Sequence, residues 1–392
     1  MIHPLAERLF EAISLERVRK RLFDMVSVPS PTGKARPMAE HYAALLRQIG
    51  LPAELRPLKD WPDSPSVVAR WPGTQPTPTL QLAGHMDTIH TQHAAPYVEG
   101  NRVYGRGASD MKGGLAAIAE TLQVLVDHRV QLPGSLLVTA YDLHEHPWGH
   151  GESIQDLIGA GIVGDAVLVA EGPSDEVAIA VKGTTSFEIE IKSPAGSPHE
   201  LHVPPGTTQP FEVAVRLCQR LIEFSLQLEQ QPIPLLGSES IFLSSIHGGD
   251  FYNRLPGSFV IGGTRRFAPE RDFDDISREL QALADEVVAG TELTAQVRLH
   301  PIMQGCRMSA DNRLVQVVRR AYQLLNGRDM PIVGQLFGAD NARFNNWAHV
   351  PAVCIGTGLG QAHADVEYVE CEAVVALTRQ LLLSILLFFD MV

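Results

Sequence analysis

Residues 79–87 read TLQLAGHMD, an apolar run that ends in glycine, histidine and aspartate. The run Thr79–Ala83 predicts a strand, and Gly113–Val126 predicts a helix after it. Apolar runs at Ser135–Ala140 and Ala166–Ala170 predict two further strands. Apolar strands separated by helices are typical of a parallel sheet covered on both faces, so we predict an α/β domain.

The middle of the chain has a different pattern. Its predicted strands are Ser186–Lys192, Glu239–Ile246, Phe259–Phe267 and Leu293–Leu299, with helices at Pro210–Phe224 and Asp272–Val288. The order β-α-β-β-α-β is that of a ferredoxin-like unit. We therefore predict a catalytic α/β domain built from residues 1–179 and 299–392, interrupted by an inserted α+β domain at residues 180–298.

Composition narrows the class of protein. The 392 residues carry a net charge of −13 and no Lys/Arg-rich block, which argues against nucleic-acid or membrane partners. The four cysteines form no Cys-x-x-Cys pair, as expected in a reducing compartment. Residues 1–21 lack the apolar core of a signal peptide, and the apolar run Leu381–Phe389 is too short to cross a bilayer. These features predict a cytoplasmic protein.

Metal-binding residue types follow the predicted strands, where an open α/β sheet binds its ligands. They are His85 and Asp87 after the first strand, His144, Glu145 and His146 after the second, Glu171 after the third, Asp110 ahead of the Gly113 helix, and His363 after a strand at Ala352–Ile355. Histidine, aspartate and glutamate are the nitrogen and oxygen ligands that suit zinc. Their convergence on one sheet edge predicts a metal site.

Taken singly, each residue has a simpler interpretation. His85 alone is more often a core histidine, Asp110 alone is a good helix N-cap, and Glu171 alone fits an exposed turn. The histidines at 90, 93, 144, 146 and 150 alone fit a partly solvated loop. The joint placement, not any one residue, supports the metal site.

The spacing of His85 and Asp87 also indicates how their side chains could act together. Two residues apart on an extended segment, both side chains point the same way, so Asp87 can accept one ring N–H while the other ring nitrogen binds metal. Asp110 could bridge two cations about 3.5–4 Å apart, as in two-metal hydrolytic sites.

Longer motifs resemble those of a known family. Gly84-His-Met-Asp-Thr88, Gly105-Arg-Gly-Ala-Ser-Asp-Met-Lys-Gly-Gly114, Glu171-Gly-Pro173, Gly338-Ala-Asp340 and the segment 358–369 are similar to motifs of the co-catalytic zinc metallopeptidases. That family includes acetylornithine deacetylase, succinyl-diaminopimelate desuccinylase, aminoacylase and the glutamate-releasing carboxypeptidases. The resemblance spans nearly the whole chain, and it implies an inserted lid domain that forms a homodimer.

The resemblance also implies the metal ligands. His85, Asp110 and Glu171 would hold one zinc ion, while Asp110 as a bridge, His363 and a residue of the segment 144–146 would hold the other. Cobalt or manganese could take the place of zinc.

The substrate-binding residues are implied in the same way. His199 resembles the family histidine that reaches the substrate oxyanion, and Asn253 and Arg265 resemble residues that grip the substrate. His202 is the alternative to His199, and Arg266 is the alternative to Arg265.

The segment 144–146 departs from the family pattern, in which a first Glu is the general base and a second Glu is a zinc ligand. Counting back from Gly151 makes Glu145 the base and His146 the ligand, which is the assignment we favour. Allowing one extra loop residue makes Glu145 the ligand and leaves His144 in the base position. An empty second metal site is a third alternative.

These residues predict a zinc-dependent hydrolase that cleaves an amide bond of an N-acyl amino acid or small peptide. Metal-activated water would attack the carbonyl, with Glu145 as base and His199 on the oxyanion. The alternatives are a single-metal amidohydrolase of carbamoyl or other N-acyl groups, and a non-catalytic relative that binds small peptides or metal.

Overall fold

The computed structural model describes residues 2–335, 339–358 and 360–392. They divide into two compact units. The first unit comprises the residues up to Ile179, Met308–Ile332 and Ala339–Val392, and the second comprises Ala180–Arg307 with a short segment that begins at Val333. The predicted mixed α/β fold is confirmed.

The elements of the described residues are as follows. The helices are α1 (Pro4–Glu11), α2 (Leu15–Val26), α3 (Arg36–Ile49), α4 (Gly113–Asp127), α5 (Glu152–Gly159), α6 (Pro210–Glu229), α7 (Phe273–Val288), α8 (Arg313–Asn326), α9 (Asp340–Arg343) and α10 (Cys371–Phe388), with helical turns at Ala108–Lys112, Glu200–His202 and Phe344–Ala348. The strands are β1 (Ala53–Leu58), β2 (Trp61–Trp71), β3 (Thr79–His85), β4 (Tyr97–Glu99), β5 (Arg102–Tyr104), β6 (Ser135–Tyr141), β7 (Ala166–Val169), β8 (Val177–Val181), β9 (Gly183–Lys192), β10 (Pro232–Ile233), β11 (Gly237–Ser238), β12 (Ser240–Gly248), β13 (Ser258–Phe267), β14 (Thr294–Met303), β15 (Cys306–Arg307), β16 (Ile332–Gln335), β17 (Ala352–Cys354) and β18 (Tyr368–Glu370).

The main sheet of the first unit has the strand order β1-β2-β6-β3-β7-β17. Strands β6, β3, β7 and β17 are parallel to their neighbours in this series, as predicted. Strands β1 and β2 add an antiparallel edge. These two edge strands were not predicted from the sequence, because β2 opens with Trp-Pro-Asp-Ser-Pro, and proline is uncommon within a strand.

The central strands are apolar throughout because both faces of the sheet are covered. Every residue of β7 is buried, as are all residues of β3 after Thr79. Helix α10 packs within the core of this unit. Among the described helices it alone is long and apolar enough to cross a membrane, with a mean hydropathy of 1.8, but 67% of it is buried inside the molecule, as in a core helix.

The second unit contains an antiparallel sheet of order β12-β13-β9-β14. Along the chain its elements run β9-α6-β12-β13-α7-β14, the predicted ferredoxin-like order. Side chains of β9 alternate, and Phe187, Ile189 and Ile191 are buried with residues of α6 and α7. This unit therefore has a hydrophobic core of its own.

Candidate metal centre

Adjacent parallel strands bring the predicted site residues to one sheet edge of the first unit. His85 ends β3, His144 and Glu145 follow β6, and Glu171 follows β7. Because β6, β3 and β7 are parallel neighbours, their carboxyl ends lie side by side. Asp110 lies in the helical turn that precedes α4, and it does not cap that helix.

Asp110 lies between two histidines. Its Oδ1 lies 3.0 Å from His85 Nε2, and its Oδ2 lies 3.3 Å from His363 Nε2. The same His363 nitrogen lies 3.0 Å from Glu145 Oε1. One carboxylate thus has an imidazole on each oxygen, which is the arrangement expected of a residue that bridges two cations.

Two groups of side chains could hold a metal ion. His85, His144 and Glu171 form one, and His85, Asp110 and Glu145 form the other; within each, the ligand atoms lie within 4.8 Å of one another. The rings of His85 and His144 stack at 4.0 Å and are parallel to within 2°. The structure therefore brings His85, Asp110, Glu145, Glu171 and His363 together, and it adds His144.

Asp87 supports the site in a different way from the one predicted. Its Oδ2 accepts the backbone N–H groups of His144 and Glu145, each at 3.1 Å. His85 Nδ1 lies 3.0 Å from the Asp87 main-chain carbonyl and 3.6 Å from the carboxylate. The carbonyl is thus the closer partner that orients His85, while the Asp87 carboxylate anchors the segment after β6.

Glu367 holds the turn that carries Asp110. Its carboxylate accepts the backbone N–H groups of Gly107, Ser109 and Asp110 at 3.0, 2.9 and 3.1 Å. A salt bridge of 2.9 Å to Arg106 completes its contacts. Glu367 lies inside the closing motif, but its role could not be predicted from the sequence, because only the fold shows that these amides converge.

His85 and His363 are held in the charged form. Hydrogen bonds to Asp110 and Glu145 raise the pKa of His363 to about 10. Burial lowers the pKa of His85, but the neighbouring carboxylates of Asp110 and Asp87 raise it well above the ordinary value. Imidazolium protons thus supply the positive charge that the carboxylates need, and a metal ion would displace those protons.

The donor atoms fit a cation. Burial raises the pKa of Glu171 to about 7, and its Oε2 has no hydrogen-bond partner in the described structure. Asp87 Oδ1 is also buried without a partner. Imidazole nitrogens and carboxylate oxygens that are buried, close together and partly unpaired are the donors that zinc and similar ions prefer.

His146 lies outside both metal-binding groups, so the assignment of His146 as a ligand is corrected. Its ring contacts His150 at 4.7 Å, and its Nε2 is buried without a hydrogen-bond partner. Burial and the charges of Arg343, His150 and His144 lower its pKa to about 4. The two residues before it, His144 and Glu145, face the cluster because Asp87 binds their backbone amides.

In the second unit, His199 and Asn253 are neighbours. The side-chain amide of Asn253 lies 3.0 Å from His199 Nε2. The backbone N–H of Leu201 donates to His199 Nδ1 at 3.2 Å. His202 lies 5.9 Å away, ring to ring. His199 is thus an exposed residue whose ring nitrogens contact the Leu201 N–H and the Asn253 side-chain amide.

Arg265 is a structural residue, which corrects its assignment to substrate binding. Its side chain is fully buried and donates to Glu239 and, at 2.9 Å, to Glu279. The guanidinium therefore has no face open to a ligand. Arg266 is the next residue on β13, and successive strand residues point to opposite faces of the sheet. The alternative, Arg266, therefore lies on the other face.

Asp340 and Arg343 belong to the site region, and neither was assigned a role from the sequence. Asp340 Oδ2 lies 2.9 Å from His144 Nδ1, and Asp340 Oδ1 accepts from Arg343 Nη1. The sequence shows Asp340 only as the last residue of the motif Gly338-Ala-Asp340. Gly338 of this motif and Leu359 of the closing motif lie outside the described residues. A lone Asp at the start of a short helix carries no sequence signal for a histidine partner.

Comparison with known proteins identifies the family. Residues 81–387 match the model of peptidase family M20/M25/M40, so the chain belongs to that family. It is 24% identical to acetylornithine deacetylase of Edwardsiella ictaluri over 88% of each chain. It is 25% identical to succinyl-diaminopimelate desuccinylase of Methylococcus capsulatus over 77% of this chain and 81% of that one.

A solved structure agrees with the fold. A dinuclear metal-binding peptidase of the M20 family from Bacillus subtilis superposes with a TM-score of 0.73 at 16% identity, covering 96% of this chain and 99% of that one. The family and the cluster of donors together define a metal-dependent amide hydrolase.

Proposed function

We propose that the protein is a zinc-dependent hydrolase that releases an amino acid from an N-acyl amino acid or a small peptide. The observation that carries the proposal is the contact of Asp110 with both His85 and His363 in a member of the M20 family. The relatives named as deacetylase and desuccinylase support the class of substrate. The buried nitrogen and oxygen donors support zinc.

The contacts support an assignment of the ligands. His85, Asp110 and Glu171 would hold one ion, and Asp110, Glu145 and His363 would hold the other, which makes Glu145 a ligand in place of the base that we favoured from the sequence. Bound zinc would polarise the substrate carbonyl and lower the pKa of water. Asp87 and Glu367 keep the ligand-bearing segments in place through backbone amides.

His144 is the residue that would accept the proton of the attacking water. This residue stands directly before Glu145, stacks on His85 and has Nδ1 bonded to Asp340, so Nε2 is the nitrogen available to the cluster. We assign His144 Nε2 the transfer of that proton to the leaving amine. An imidazole then takes the role that the family gives to a carboxylate.

The second unit would supply the substrate contacts. The exposed pair of His199 and Asn253 brings together an imidazole and a side-chain amide, which are groups suited to stabilise an oxyanion. Arg266 is suited to bind the substrate carboxylate, because a guanidinium matches the geometry of a carboxylate.

We also propose a homodimer formed through the second unit, in the cytoplasm. Strand β12 is an edge of its sheet and exposes Phe242 and Ile246. Helix α6 exposes Phe211, Ile222 and Leu226. Apolar side chains on a helix face and a sheet edge favour burial against a second copy. Sedimentation of the wild type and Phe242→Asp measures this: a monomeric wild type contradicts the dimer.

The function is tested by metal content and hydrolysis together. We expect about two zinc ions per chain in protein purified without chelator, and hydrolysis of some members of a panel of N-acetyl and N-succinyl amino acids and dipeptides. Chelation should abolish hydrolysis, and zinc should restore it. Activity on N-carbamoyl amino acids with one metal would favour the single-metal alternative instead. Metal-loaded protein that is inactive on every substrate would contradict the proposal.

A further inference from the structure

A buried chain of polar contacts lies behind His144. Its Nδ1 lies 2.9 Å from Asp340 Oδ2, and the other oxygen of Asp340 accepts from Arg343 Nη1. Asp340 is fully buried, and Arg343 is 2% exposed. A carboxylate and a guanidinium that are withdrawn from water must form well-directed hydrogen bonds to offset the cost of burial.

The contacts set the tautomer of His144. An arginine keeps its charge at any working pH, so Arg343 provides a permanent cation on one oxygen of Asp340. An ionised Asp340 only accepts hydrogen bonds, and its Oδ2 lies closer to His144 Nδ1, at 2.9 Å, than Arg343 Nη1 does, at 3.4 Å, so neutral His144 carries its proton on Nδ1. The lone pair is then on Nε2. The stacking of the ring on His85 at 4.0 Å keeps its plane parallel to that of a predicted metal ligand.

A structural role of Asp340 alone does not account for this arrangement. Asp340 and Arg343 form an i,i+3 pair in the short helix α9, and such a pair needs no third partner. Asp340 nevertheless places its second oxygen against His144, which is 196 residues away in the chain. That oxygen contacts a side chain that belongs to a candidate metal-binding group.

We propose that Asp340 is a positioning residue, held by Arg343, that fixes His144 with the lone pair of Nε2 directed at the cluster of His85 and Glu171. The inference rests on the proposed function, since it concerns the residue to which we assign the proton transfer. An imidazole that replaces a carboxylate base can present its proton on either nitrogen. A second carboxylate is therefore needed to select one tautomer, which a glutamate base would not require.

The test is a double-mutant cycle between Asp340→Asn and His144→Gln in the zinc-loaded protein. We expect Asp340→Asn to lower kcat by about 10²- to 10⁴-fold with KM and zinc content close to wild type. In the His144→Gln background, the same change should have almost no further effect on kcat. Asp156→Asn, which removes a surface carboxylate from its pair with Arg56, is the matched control and should retain wild-type kcat.

Nitrogen NMR of ¹⁵N-histidine-labelled protein gives a readout that does not depend on turnover. In the zinc-loaded protein, where the charge of the metal disfavours an imidazolium beside it, the wild type should show His144 protonated at Nδ1 alone, and Asp340→Asn should show the Nε2 tautomer or a mixture. An unchanged tautomer, or additive losses of kcat in the double mutant, would overturn the proposal. If the wild type hydrolyses no substrate, the proposed function fails, whereas the tautomer still decides whether Asp340 positions His144.

Discussion

Each unit buries a cluster of charged side chains, and the two clusters differ in what neutralises the carboxylates. In the second unit, Arg265 and Arg271 face Glu239 and Glu279, so two fixed positive charges meet two negative ones. Glu239 also accepts the backbone N–H of Ala268. This cluster is complete without a ligand.

The cluster of the first unit is different because its carboxylates face histidines. Asp110 and Glu145 contact His85 and His363, and Glu171 Oε2 has no partner among the described residues. A histidine can lose its proton and bind a metal through the same nitrogen, which an arginine cannot do. Buried charge therefore marks a structural cluster where the cation is fixed and a metal centre where it can be exchanged.

The largest effect should follow the loss of the bridging carboxylate. Asp110→Asn removes the negative charge and replaces one oxygen with an NH2 group, so the side chain can no longer place an oxygen on both His85 and His363. We expect metal affinity to fall by more than the roughly 10- to 100-fold that outer-shell substitutions cost, and turnover to fall with it. Metal analysis after dialysis and steady-state kinetics measure both. An Asp110→Asn protein that keeps two metals would show that the cluster is not the metal centre.

The two histidines that flank Glu145 should behave differently. His144→Gln should keep its zinc and lower kcat by about 10²- to 10⁴-fold, because it removes the proposed proton acceptor. His146→Gln should stay close to wild type, since His146 lies outside the groups that could hold a metal. If His144→Gln loses zinc instead, His144 is a ligand of the ion shared with His85 and Glu171.

The next prediction contrasts neighbouring arginines of β13. Arg265→Met removes the buried one of the two guanidiniums that Glu239 and Glu279 share and leaves only the partly exposed Arg271, so it should lower the free energy of unfolding by up to about 3–5 kcal/mol. Arg266→Met should instead raise KM for substrates with a free carboxylate at little cost in stability. Denaturant titration and KM measurements on both variants separate the roles. The opposite pattern would restore Arg265 as the substrate contact.

The smallest effect should be the acid sensitivity of the second cluster. Burial raises the pKa of Glu239, but the charge of Arg265 and the hydrogen bond from Ala268 outweigh it and lower the pKa below its ordinary value. Its contribution to stability is therefore present above the unfolded-state pKa of about 4.3 and is lost as the pH falls through the lower folded-state pKa. Unfolding free energies at pH 7 and pH 3 should differ less in Glu239→Gln than in the wild type. An equal difference contradicts the assignment.

The sheet and most of the metal centre could be predicted from the sequence, because the apolar run of each strand is followed directly by the metal-binding residues at its end. The apolar run before His85 predicts the strand, and its end places the histidine at the sheet edge. The choice among residues 144, 145 and 146 could not be made in this way. It depends on the two backbone amides that Asp87 binds, and a loop conformation of this kind leaves no periodic pattern.

The arginine pair was ambiguous for a related reason. Adjacent residues of a strand face opposite sides, and the pattern around Arg265 does not show which side is covered by helices. The ion pairs of Arg265 on β13 join it to Glu239, 26 positions away between β11 and β12, and to Glu279, 14 positions away on α7. Only the packed structure shows that these side chains meet.

The hold of Glu367 on the turn of Asp110 has a consequence for biosynthesis. The contact joins residues 257 positions apart, and His363 reaches Glu145 from 218 positions away. Contacts of such high sequence separation form only after the entropy of closing a long loop has been overcome. A growing chain that does not yet contain the segment with His363 and Glu367 cannot complete the binding site. Metal acquisition therefore follows the synthesis of that segment.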